Sequence, residues 1–86
     1  MSAIDDLVNT LQGVIDELND GQNGAGNAKS EADDAMSQAV ALGANHMIGG
    51  LETVKSTIDQ LTQQIRTAID TAEEAINQAK AAAEGT

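Results

Sequence analysis

At 86 residues the chain is long enough for one small domain and no more. It contains no Phe, Tyr, Trp, Cys or Pro, which excludes an aromatic core, a disulfide and a thiolate zinc site, and leaves Ile, Leu, Val, Met and Ala to build any interior. Fourteen acids against four bases give a net charge of -10. Nucleic acid and anionic membrane surfaces demand the opposite sign, so the charge speaks for solubility or for a basic partner.

The first predicted helix spans residues 2–19. Ser2 followed by Asp5 resembles a capping box, and Asp5 and Asp6 suit the positive end of the helix dipole. Residues 20–27, Asp-Gly-Gln-Asn-Gly-Ala-Gly-Asn, carry three glycines, each costing about 1 kcal/mol against Ala inside a helix. The heptad nevertheless passes through without a change of phase. The segment is therefore either the weak or kinked middle of one long helix, or a loop. A helix over 28–42 follows, and Gly43 is placed to end it in the left-handed conformation. Residues 43–50 read as the main turn, with Asn45 available to cap the next element. The last helix runs over 51–83 with no glycine or proline.

Apolar residues recur at spacings of three and four in two runs. The first is Ile4, Leu7, Leu11, Val14, Leu18, Gly21, Ala25, Ala28, Ala32, Ala35, Ala39, Leu42; the second is Leu51, Val54, Ile58, Leu61, Ile65, Ala68, Ala72, Ala75, Ala79, Ala82. Both go from large to small. Folding the chain back on itself sets large against small, so the fold class is all-α, an antiparallel helical hairpin. Two registers one heptad apart satisfy this: one sets Leu18 by Ala75, the other sets Leu18 by Ala68. Val8, Ile15, Met36, Ile69 and Ile76 widen the stripe beyond a single seam. They are the candidate interface through which two hairpins would dimerise into a four-helix bundle.

Chemical motifs are absent where they would be expected. Gly21–Ser30 evokes a phosphate loop, but two residues separate Gly26 from Lys29 and no strand precedes it. A calcium loop read from Asp20 has Gly24 and Ala25 where an oxygen ligand and the turn glycine belong. His46 is the only histidine, set in a glycine-rich turn without a nucleophile or orienting acid beside it. The pairs Asp5/Asp6, Asp16/Glu17, Asp33/Asp34 and Glu73/Glu74 are adjacent in sequence, so their side chains diverge on a helix. No catalytic, cofactor, small-molecule or metal site is expected. The chain reads as a non-enzymatic interaction module that pairs with itself or with another protein, or else as a structural coiled-coil component of a larger assembly.

Two long antiparallel helices around a glycine-containing turn resemble the small Trp-x-Gly helical-hairpin proteins of type VII secretion. Leu42-Gly43-Ala44-Asn45 occupies the place of that family's Trp-x-Gly, although the chain has no Trp, and Thr71-Ala72-Glu73-Glu74-Ala75 echoes its C-terminal Tyr-x-x-x-acidic signal without the Tyr. Ala-rich acidic helical proteins of unknown function from actinobacteria are equally similar. The resemblance implies function by pairing with a copy or with a secreted partner. With no apolar stretch near about 18 residues and no basic leader, the expected location is cytoplasmic, or exported without a cleaved signal peptide.

Overall fold

The computed structural model describes residues 2–85. Two α-helices, α1 (Ala3–Ala41) and α2 (Ile48–Glu84), lie antiparallel, joined by a short turn that includes a 3-10 segment, Asn45–Met47. The hairpin measures 66 × 17 × 10 Å, with a radius of gyration of 19.4 Å, against about 12 Å for a compact domain of this length.

Helix α1 begins as its sequence dictates. The Ser2 side chain accepts a hydrogen bond from the Asp5 amide at 3.1 Å, and Asp5 and Asp6 occupy the first turn. It ends in a Schellman motif. Gly43 takes φ +72°, the Gly43 amide donates to the Val40 carbonyl at 3.1 Å and the Ala44 amide donates to the Ala39 carbonyl at 2.9 Å.

Residues 20–27 are helical, so α1 is unbroken and the loop alternative is excluded. The physical reason lies in what each position faces. Ala25 is buried, and Gly21 lies under the Ile65 side chain, whose Cδ1 would stand 3.7 Å from an added Cβ. Gly24 and Gly26 face open space. Packing across α2 thus fixes a segment whose own propensity is poor. The turn is also shorter than expected: α2 starts at Ile48 rather than 51, taking Gly49 and Gly50 into the helix, and no side-chain cap from Asn45 forms.

The contact between the helices uses a different pair of rows from the one that uninterrupted apolarity indicates. On α1 the buried and half-buried positions are Ile4, Val8, Leu11, Ile15, Leu18, Gln22, Ala25, Lys29, Ala32, Ala35, Met36 and Ala39. On α2 they include Ile48, Leu51, Lys55, Ile58, Thr62, Ile65, Ile69, Ala72, Ile76 and Ala79. Half of each expected run is therefore in the seam, and the other half is not: Leu7 is 50%, Val14 41%, Val54 47% and Leu61 47% exposed. Area explains the choice. The rows that are buried carry Ile15, Met36, Ile69 and Ile76, and covering these removes more apolar surface than covering Gly21, Ala28, Ala68 and Ala75.

Lys29 and Lys55 also lie in the seam, laying their stems along it and reaching out to Asp59 and Asp33. These ion pairs, with Ile65 over Gly21, select the register that sets Leu18 level with Ala68 and exclude the one a heptad away.

A continuous α1 closed by a left-handed glycine predicts opposite signs for two substitutions. Gly24→Ala should stabilise the hairpin by about 1 kcal/mol, and Gly43→Ala should destabilise it by about 1–2 kcal/mol. Urea unfolding followed by circular dichroism checks both; a destabilising Gly24→Ala would contradict the unbroken helix.

Candidate interaction surface

With 100° per residue, the apolar residues of α1 fall in three adjacent rows. A central row holds Ile4, Leu11, Leu18, Ala25, Ala32 and Ala39. The row four residues on (Val8, Ile15, Gln22, Lys29, Met36) completes the seam with α2, while the row three residues on (Leu7, Val14, Gly21, Ala28, Ala35, Leu42) lies at the seam's edge and is mostly exposed, with Ala35 half-buried and Gly21 beneath Ile65. Helix α2 repeats the arrangement, with Val54, Leu61, Ala68, Ala75 and Ala82 in the outer row, all exposed except the half-buried Ala75.

Two antiparallel helices are related by an approximate twofold axis perpendicular to them, so rows with the same offset from the seam emerge on the same side. The two leftover rows therefore form one face of the hairpin, and every position in them is apolar or glycine. The opposite face is polar and includes Asp5, Gln12, Asn19, Asp33, Glu52, Asp59, Arg66 and Glu73. The Lys29 Nζ to Asp59 Oδ1 bridge, at 2.7 Å, and the Lys55–Asp33 bridge lie on that side.

The expected interface residues are accordingly reassigned. Ile69 and Ile76 are buried, at 9% and 6% exposure, and Val8, Ile15 and Met36 are half-buried, all within the hairpin's own seam. Each therefore offers a second chain less surface than Leu7, Val14, Val54 or Leu61 does. The exposed large apolar residues are Leu7, Val14, Val54 and Leu61 on the apolar face, with Val40, Leu42 and Met47 toward the turn. A signal for this face was present in the sequence: its row, like the central one, has no polar interruption, whereas the other seam row tolerates Gln22, Lys29, Lys55 and Thr62.

Among the described residues no three acids, histidines or cysteines gather to hold a metal ion. His46 is exposed in the 3-10 turn. A shallow depression of about 380 Å³ is lined by Gln60, Gln63, Gln64 and Thr67. The hydroxyls of Thr10, Thr53, Thr57, Thr62, Thr67 and Thr71 each donate to a carbonyl one turn back in their own helix. No helix among the described residues is long and apolar enough to cross a membrane. No family model matches the chain, and no curated protein or solved structure is significantly similar to it.

Among the described residues, Lys29 is the titratable group whose surroundings clearly perturb it. Its hydrogen bond to Asp59, then the charge of that carboxylate, raise the ammonium above its ordinary 10.5. A raised folded-state value makes the contribution fully present below pH 10.5 and lost as pH climbs through the higher value. Between about pH 9 and pH 12 the wild type should therefore lose more stability than Asp59→Asn, by an amount in keeping with an exposed pair. Parallel urea titrations at the two pH values test this; equal losses would contradict the linkage.

Proposed function

We propose that this chain is a non-enzymatic helical interaction module that works by pairing its apolar face with another helical surface. The observation that carries the reading is the unbroken apolar double row on one side of a hairpin whose other side is polar. The incompleteness of the interior supports it. The largest side chains among the buried positions are Ile69 and Ile76, the rest are alanines, and no described side chain is completely enclosed. The accessible surface is 5920 Å², whereas a compact protein of this mass exposes about 4,800 Å². A hairpin of two helices with so thin a core is marginal alone, and covering the remaining apolar face supplies what it lacks. The same pairing is what the likeness to Trp-x-Gly hairpins implies. The partner is then a copy of this chain or another protein with a helical apolar stripe, a secreted one included. The 66 Å rod shape fits a second reading, a structural element of a larger coiled-coil assembly.

Leu61 lies on the apolar face, in the half of α2 nearer the turn, and Gln12 lies on the polar face. Leu61→Glu should weaken pairing at least tenfold, about 1.4 kcal/mol, because it sets an unpaired carboxylate in an apolar contact. Gln12→Glu should leave pairing unchanged. Affinity capture of the tagged chain from cells that express it, followed by sedimentation of the recovered complex, provides the comparison. Equal recovery with both variants, or no complex with the wild type, would contradict the reading.

A further inference from the structure

Resting on the interaction reading above, we infer that the partner on the apolar face is a second copy of this chain, docked face to face with both turns at the same end, so that α1 of one copy lies on α2 of the other. Three features of the face carry this.

The first is the placement of charge. The chain carries a net charge of -10, yet its apolar face is bordered almost entirely by neutral side chains. One further 60° step outward on α2 come Thr57, Gln64, Thr71 and Gln78, all neutral. The same step on α1 meets Glu17 and Glu31 as its only charges. A face built for a basic partner would be rimmed with acids to steer and hold it. Here the acids are concentrated on the other sides, which is what a strongly acidic chain needs to meet its own copy.

The second is the distribution of size. Leu7 and Val14 lie toward the chain termini on α1, and Val54 and Leu61 lie toward the turn on α2; their level neighbours across the face are small, Ala75 near Val14 and Ala28 near Leu61. A twofold axis along the hairpin lays Val14 of one copy over Ala75 of the other, so that large meets small toward both ends of the interface, with Gly21 over Ala68 between them. A twofold axis across the hairpin also matches sizes, pairing Val14 with Ala28. It would, however, set the two α1 rims, with Glu17 and Glu31 in both, side by side. The first arrangement instead lays each Glu-bearing rim against the neutral rim of α2, and the two α1 helices, with eight acids and one base each, sit diagonally apart.

The third is area. The apolar face runs most of the hairpin's 66 Å length, which lets two helix pairs laid along it approach the roughly 800 Å² per partner of a standard interface.

The absence of cysteine makes the test direct. Val14→Cys, Ala75→Cys and Ala28→Cys chains are prepared singly and checked for helicity by circular dichroism. They are then mixed in pairs under mild oxidation, while sedimentation equilibrium is run on the wild type. A wild-type dimer, with a disulfide-linked species between the Val14→Cys and Ala75→Cys chains at least tenfold more abundant than between Val14→Cys and Ala28→Cys, is the expected result. Preferential linkage of Val14→Cys to Ala28→Cys overturns the arrangement. A folded wild-type monomer at tens of micromolar overturns the second-copy assignment. The interaction reading itself then stands if capture still recovers another protein through Leu61, and fails with it if capture recovers none.

Discussion

The structure depends on one geometric constraint: each helix carries three adjacent apolar rows, and a hairpin can bury only two of them. The central row of each helix must be inside. The choice between its two neighbours then determines the rest: which residues pack, where the lysines reach, and what is left facing water. The chain buries the row with the larger side chains, Ile15, Met36, Ile69 and Ile76, and accepts Lys29, Lys55, Gln22 and Thr62 in the bargain. That is tolerable because a lysine stem is apolar over most of its length and its ammonium needs only a short reach to an aspartate at the edge. The row left outside is smaller in side-chain size but free of polar atoms, and it coincides on both helices to give the molecule an apolar side and a polar side.

This constraint also explains how much of the fold was legible. The helices, the Ser2 cap and the Gly43 terminator follow from local chemistry, and each is where that chemistry puts it. The antiparallel hairpin follows from the large-to-small gradient of both runs. The seam was misplaced by one row because an unbroken apolar pattern is the usual mark of burial, and here it marks the surface instead. Periodicity counts residues, whereas burial follows area, and Ala28 or Ala68 counts the same as Ile15 or Ile69 in the first measure but not in the second. The glycine segment could not be settled locally because its helical state is imposed from across the hairpin, through Ile65 over Gly21 and the enclosure of Ala25.

Register shows the same division of labour. The alanine-rich half of each helix fits equally well at two positions one heptad apart, since alanines discriminate poorly among partners. Discrimination comes from the polar intruders. Lys29 with Asp59 and Lys55 with Asp33 are reciprocal, crossing the seam in opposite senses, and both are satisfied in only one of the two registers. Exposed pairs of this kind add little stability. Their contribution is to separate two nearly equal packings, a role that polar residues in helical seams commonly fill.

With so thin a seam, pairing over the apolar face would make folding and association a single equilibrium, which is the central claim. It is tested most directly by the urea midpoint of helix loss, measured by circular dichroism over a hundredfold range of chain concentration. If the hairpin is completed by pairing, the midpoint rises steadily with concentration, as mass action requires for any state stabilised by a partner. A midpoint that stays constant across that range, in a chain that remains fully helical when dilute, would show that two buried rows suffice and that the apolar face completes nothing.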